Sequence, residues 1–215
     1  MTSQRPGNIS QKIPIRQGIR AIFREFDMIS LFPNDPTFPE GFSYVPDFLS
    51  EADESDLLAA INTIELQTFV FQGFEAKRKF ASFGFDYSFS QRKLNRGKEI
   101  PEDFKYLVKR VASHLNIPQS SIAELLVLEY PPGAVINWHR DAPPFDIIAG
   151  ISLLTDCIFR MRPHEKSKQG RNAVISFPVQ KRSLYIMRGP ARSAWQHSTS
   201  PVPDTRYSIT LRTLK

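Results

Sequence analysis

Past Ile117 the chain breaks into about eight short runs with strand character, at 123–130, 135–141, 145–154, 156–162, 173–178, 182–188, 193–198 and 205–213, punctuated by Pro, Gly and Ser. Short strands in that number suit two sheets packed face to face so that each protects the other's edges, a double-stranded β-helix of the jelly-roll kind. Two helices precede them. Ser50-Glu-Ala-Asp53 reads as a capping box opening a helix with Leu57, Leu58 and Ile61 on its apolar face. A second helix starts near Pro101, with Phe104, Leu107, Val108, Val111 and Leu115 at helical spacing. The expected fold class is mixed α/β, mainly β: a jelly-roll core with supporting N-terminal helices.

The last run, Arg206-Tyr-Ser-Ile-Thr-Leu-Arg212, alternates strictly. As a strand it puts Arg206, Ser208, Thr210 and Arg212 on one face and Tyr207, Ile209 and Leu211 on the other. Alone, this is an ordinary half-buried strand with a solvated polar face. Its company changes the reading. The chain has four histidines; one opens the triplet His139-Arg140-Asp141, and another, His197, lies just upstream of Arg206. A His-x-Asp triplet arises by accident in roughly one chain in five at such a composition, but triplet, distal His and arginine strand together are much rarer. Residues i and i+2 of a strand share a face, so a strand at 135–141 offers an imidazole and a carboxylate to one ion, and His197 adds a second imidazole. Two His and one carboxylate on one side of a metal leave the opposite positions open, the pattern of non-haem Fe(II) oxygenases. A structural Zn(II) site is the rival, but such sites usually close with a fourth ligand, often Cys, and the only Cys is Cys157. A planar guanidinium nearby suits a carboxylate ligand. Six residues of strand span roughly 20 Å, so Arg206 and Arg212 take different roles.

From about residue 41 to the end the chain resembles the AlkB-type Fe(II)/2-oxoglutarate-dependent dioxygenases. The likeness is carried by Glu129-Tyr130-x-Pro-Gly133, His139-x-Asp141, Gly189-x-x-Arg192-x-x-x-x-His197 and Arg206-x-Ser-x-Thr-x-Arg212. It implies that His139, Asp141 and His197 hold Fe(II) and that Arg206 pairs with the distal carboxylate of 2-oxoglutarate. Tyr130 would hydrogen-bond the same cosubstrate with Ser208 nearby, and Arg212 would sit near Asp141, serving both catalysis and the cosubstrate. O2 is the third reactant. Family members often carry Asn two residues before the Tyr; here Leu128 stands there, so one cosubstrate hydrogen bond is expected to be missing or replaced.

A chain of 215 residues with 41% hydrophobic content buries one sizeable core. One domain over 41–215 is expected behind a basic N-terminal arm and linker, 1–40. A single Cys excludes an internal disulfide framework and suits a reducing compartment. No apolar run approaches a membrane span and no secretory signal is visible. A cytoplasmic protein is expected, or a nuclear one in a eukaryote, monomeric and without membrane contact. Residues 1–24 are basic and free of acids, as an organelle leader would be, but Pro6, Gly7, Pro14 and Gly18 interrupt any amphipathic helix. The net charge of +6 is uneven: residues 25–76 hold eleven acidic and no basic side chains, and 159–192 hold nine basic against one acidic. The second segment, from Arg160 to Arg192, is either a solvated rim or a surface that draws a polyanion.

Residues 68–93 interleave aromatics with basic residues, a composition able to stack bases and hold phosphates. Phe83, Phe85, Tyr87 and Phe89 also keep the period of a buried strand face, and core packing is the expectation for them. Phe71, Phe74 and a Lys77-Arg78-Lys79 turn are the better substrate candidates, with Trp138, His139 and Asp141 beside the metal. By the resemblance, 68–93 would be a nucleotide-recognition lid. The expected activity is oxidative dealkylation of N1-methyladenine, N3-methylcytosine or etheno adducts in DNA or RNA, on single strands or flipped bases, releasing formaldehyde, succinate and CO2. The alternatives are hydroxylation or demethylation of modified tRNA or protein, and a catalytically silent nucleic-acid-binding module.

Overall fold

The computed structural model describes Met1 and residues 37–71, 74–88 and 91–215, apart from the side chains of residues 69–71 and Phe74. The basic arm therefore lies almost wholly outside the described residues, as do Phe89 and the side chains of Phe71 and Phe74. By contacts the chain divides into two units, Met1–Asp35 and Pro36–Lys215, and every helix and strand of the described residues belongs to the second.

Its elements run β1 (Phe42–Val45), α1 (Glu51–Asn62), β2 (Gln67–Phe71), β3 (Phe74–Ser88), β4 (Lys93–Arg96), α2 (Glu102–Leu115), β5 (Ile122–Tyr130), β6 (Phe145–Leu153), β7 (Cys157–Pro163), β8 (Ile175–Val179), β9 (Leu184–Met187), α3 (Gly189–Ser193), β10 (Trp195–Thr199) and β11 (Arg206–Leu214). The larger sheet has the order β1-β9-β6-β11-β5-β3-β2, with β4 on β3; the smaller is β10-β7-β8. The pairings are antiparallel, as the jelly-roll expectation requires. No helix among the described residues is long and apolar enough to cross a membrane.

The central strands of the larger sheet are buried on both faces, and the period of two sorts their residues between them. Leu125, Val127, Ile151, Ile186, Ile209 and Leu211 join a core with Leu57 and Ile61 of α1 and Phe104, Leu107 and Val111 of α2. Their alternates Leu128, Tyr130, Ile148, Tyr185 and Met187 join Phe159, Met161 and Phe177 of the smaller sheet in a second core. The face of β11 carrying Arg206, Ser208 and Thr210 is therefore buried rather than solvated.

Two local expectations are corrected. Residues 135–141 do not form a strand; they lie in the loop between β5 and β6, joined to β10 by a single bridge, His139 to His197. Pro131-Pro132 and Pro143-Pro144 flank the segment, and proline withholds the N–H groups a ladder needs. Lys77-Arg78-Lys79 is not a turn but the interior of β3, which with β2 forms a hairpin at the sheet edge. The aromatic quartet also divides. Phe83 packs in the helical core, but at Gly84, with φ +85°, β3 leaves β5 for β4 and Tyr87 faces a cavity instead.

Helix α1 opens with the expected capping box: Ser50 Oγ accepts from Asp53 N at 3.1 Å and Asp53 Oδ2 accepts from Ser50 N at 2.8 Å. Asp53 also accepts from Tyr106 Oη at 2.6 Å and Arg110 Nη1 at 3.0 Å, which straps α1 to α2. The Tyr106 hydrogen bond, helped by Ser50 and Arg110, pulls its pKa down from 3.8 to about 2. Replacing Asp53 by Ala should cost about 1–2 kcal/mol near neutral pH. Because the folded-state pKa is the depressed one, the contribution is complete above the unfolded value of 3.8 and is lost as pH falls through about 2. Thermal melts of wild type and Asp53→Ala should converge across that window; a gap that stays constant would place the effect elsewhere.

Candidate active site

Strand β11 fixes the arginines through its register. Arg206 stands opposite Tyr130, Ser208 opposite Leu128 and Arg212 opposite Glu124 on β5, with Ser152 of β6 beside Ser208. Arg212 forks between two carboxylates, donating from Nη1 to Glu124 Oε2 and from Nη2 to Asp141 Oδ1, each at 2.6 Å. Burial opposes its charge, but Asp141 and Glu124 outweigh that and raise its pKa. Arg206, 2% exposed, is placed differently: Nε donates to Ser152 Oγ at 3.0 Å and the guanidinium lies 5.0 Å from the Tyr130 ring centre. It makes no salt bridge among the described residues; burial opposes its charge, and Cys157, Tyr130 and Tyr185 are the groups that sustain it. A buried cation among neutral neighbours is a seat for an anionic ligand.

The loop holding His139 and Asp141 is pinned at several points. Thr199 exchanges hydrogen bonds with the Ile136 backbone, and His139 and His197 pair through both backbone N–H groups, at 3.1 and 2.9 Å. Trp138 packs on Arg162 and Arg160, at 4.3 and 5.1 Å from its ring centre. Arg192 Nη2 donates to the carbonyls of Asp141, Ala142 and Phe145 at 3.1, 2.6 and 3.1 Å. The imidazoles of His139 and His197 end 4.1 Å apart between ring centres, and His197 Nε2 lies 3.7 Å from Asp141 Oδ2. Phe159 lies parallel to the His197 ring.

These three side chains fit a divalent cation by their chemistry. His139 Nδ1 donates to the Asn137 carbonyl at 2.8 Å, which leaves Nε2 of the neutral ring bare. Burial drives the His197 pKa down to about 3 and lowers that of His139, so both rings are neutral. Burial works against ionised Asp141, but the Arg212 guanidinium above all outweighs it and holds its pKa below the usual carboxylate range. Asp141 Oδ2 is buried without a hydrogen-bond partner, an orphan acceptor that a metal would satisfy. The donors are gathered rather than fully converged: among the described residues no three His, Cys, Asp or Glu side chains stand in a ready coordination shell.

Two cavities meet at this cluster. The inner one, the smaller of the two at about 30 Å³, is lined by Tyr130, Arg206, Ser208, Thr210, Tyr185 and the triad. The outer one, about 270 Å³, is lined by Phe80, Tyr87, Arg78, Asp86, Arg140 and the triad's His139 and Asp141. Of the expected substrate residues, Arg78, His139 and Asp141 therefore face a cavity. Lys77 and Lys79 point outward from β3, as its alternation dictates, and line neither cavity. Trp138 is also excluded: Arg160 and Arg162 alternate with buried Phe159 and Met161, so the ring lies on the far face of the smaller sheet. Arg192, read as part of a basic surface, is buried under the Asp141 loop. Glu124, Ser152 and Tyr185 escaped the sequence reading, although Glu124 shares the alternation of Leu126, Leu128 and Tyr130 and so had a legible face.

Residues 41–212 match the model of the 2OG-Fe(II) oxygenase superfamily. An Arabidopsis thaliana protein named "Alkylated DNA repair protein ALKBH8 homolog" is 27% identical over 190 residues, 79% of this chain and 53% of that one. The Xenopus tropicalis "tRNA (carboxymethyluridine(34)-5-O)-methyltransferase alkbh8" is 24% identical over 77% of this chain and 26% of its own. The chain thus spans from about a quarter to about half of the length of these relatives. The solved structure of OsALKBH1 superposes with a TM-score of 0.66 at 16% identity, over 83% of this chain and 99% of that one. The chain belongs to the 2OG-Fe(II) oxygenase superfamily, a family that implies Fe(II), 2-oxoglutarate and O2 as cofactor, cosubstrate and reactant.

Proposed function

We propose that the protein oxidatively dealkylates N-alkylated bases in nucleic acid, N1-methyladenine and N3-methylcytosine among them. The observation that carries this is the outer cavity. It opens on His139, Asp141 and Arg212, has Phe80 and Tyr87 in its wall to stack on a planar base, and has Arg78 and Arg140 to meet a phosphate backbone. A base in duplex must leave the stack to enter, which costs a few kcal/mol and favours damaged or single-stranded sites.

In this reading His139, Asp141 and His197 would hold the iron. Arg212 and Arg192 keep Asp141 ionised and in place. Arg206, with Ser208 and Tyr130, would orient the cosubstrate, while Leu128, Ile136 and Ile148 exclude water from the inner cavity. When bound, iron, 2-oxoglutarate and O2 would supply the oxidation, turning 2-oxoglutarate to succinate and CO2 and hydroxylating the N-alkyl carbon so that formaldehyde and the free base are released.

A second reading keeps the chemistry and changes the product, hydroxylation of a substituent on a tRNA wobble base. The name of the Xenopus relative, which specifies position 34 of tRNA, favours it. Mass spectrometry separates the two. With Fe(II), 2-oxoglutarate and air, methylated DNA and RNA oligonucleotides should lose a methyl mass, whereas a hydroxylated tRNA gains one oxygen. If nucleic acid binds but neither mass changes and no succinate forms, the protein is a silent binding module.

Asp141→Ala should abolish iron retention and turnover in a protein that still folds but melts earlier, because Arg212 loses a buried partner; surviving turnover would reject the metal assignment. Arg206→Ala should raise the KM for 2-oxoglutarate about tenfold or more, since it removes a charge-assisted pair, with little effect on oligonucleotide binding. Equal losses in both measurements would move Arg206 out of the cosubstrate site.

A further inference from the structure

The inward face of the larger sheet carries one wide side chain laid across a position that has none. In the row crossing β9, β6 and β11, Tyr185 pairs with Gly150 and Gly150 pairs with Thr210. A Cβ on Gly150 would overlap Cζ, Cε1 and Oη of Tyr185. The phenol end thus fills the space a side chain at 150 would take, directed along the row toward β11. The ring is 7% exposed and packs on Phe159 of the facing sheet at 4.9 Å between centres.

This seat brings the hydroxyl to the wall of the inner cavity, among Tyr130, Arg206, Ser208 and Thr210. A buried tyrosine hydroxyl ordinarily finds a hydrogen-bond partner, yet no hydrogen bond from another described residue bears on Tyr185; its charged or ionisable neighbours are Tyr130, Arg206, Asp141 and Cys157. On the β5 side of the same cavity Leu128 presents only hydrocarbon. The cavity wall therefore carries a buried guanidinium that has no salt bridge among the described residues and, beside it, a tyrosine hydroxyl that makes no hydrogen bond to them.

We propose that Tyr185 is a cosubstrate-binding residue: its hydroxyl donates to the same 2-oxoglutarate carboxylate that Arg206 pairs with, and Gly150 exists to let the ring lie there. The proposal rests on the reading of Arg206 as the carboxylate clamp. One carboxylate oxygen would take the guanidinium and the other the phenol, so the cosubstrate satisfies both groups.

The test is calorimetric binding of N-oxalylglycine, an unreactive isostere of 2-oxoglutarate, to the full chain loaded with Mn(II). Tyr185→Phe removes the hydroxyl and keeps the ring. It should weaken binding about tenfold, the effect of losing one hydrogen bond to a charged group, with Mn(II) affinity and melting temperature unchanged. Wild-type binding by Tyr185→Phe, while Arg206→Ala loses it, would overturn the role of Tyr185 and leave the clamp standing. Wild-type binding by both variants would overturn the clamp and the proposal with it. A Tyr185→Phe protein that loses Mn(II) or melts early in proportion to its lost binding would show a structural role only, and would also overturn the proposal.

Discussion

A strand buried on both faces has only two directions for its side chains, and the central strands of the larger sheet spend one on stability and the other on chemistry. On β11, Ile209 and Leu211 pack with the helices, while Arg206, Ser208 and Thr210 look between the sheets. The same division runs through β5, β6 and β9. A slip of one residue in register would exchange the faces, placing guanidinium groups against Phe104 and Val111 and emptying the site. The apolar packing of α1 and α2 thus holds the arginines in position without touching them.

Three guanidinium groups are buried in or beside the site, and each is compensated differently. Arg192 turns its Nη2 to the carbonyls of the loop that carries Asp141, so it shapes backbone. Arg212 is matched by two carboxylates and acts as a charge bridge; removing one partner of such a buried pair costs about 3–5 kcal/mol. Arg206 has no salt bridge among the described residues, and its neighbours there include Ser152, Tyr130, Tyr185 and Cys157. Position in the fold, rather than residue type, separates scaffold from clamp.

Much of the fold was legible because its signals are local. The Ser50–Asp53 capping box depends on four consecutive residues, and the apolar spacing of 104–111 marks a helical face wherever that helix docks. The strand runs were read to within a few residues for the same reason. The 135–141 run misled because the Pro131-Pro132 and Pro143-Pro144 pairs that flank it hold it as a loop, joined to β10 by a single bridge. Lys77-Arg78-Lys79 misled in the opposite sense: a cluster of charges at the edge of a sheet needs no turn to reach solvent. The division of the 83–89 aromatics hangs on Gly84, whose left-handed backbone switches β3 from one partner to another.

By itself the sequence determined the inventory: a mainly β fold, two imidazoles and a carboxylate of the kinds an iron site needs, and a strand with arginines on one face. Those follow from side-chain chemistry and from a backbone period that holds in any strand. Only tertiary structure decided which arginine was already spent. Glu124 reaches Arg212 through strand register and Asp141 reaches it through a proline-bounded loop, partners 88 and 71 residues away in the chain. Nor could any local pattern pair Tyr185 with Gly150, because the vacant space over a glycine has meaning only once β6 and β9 lie side by side.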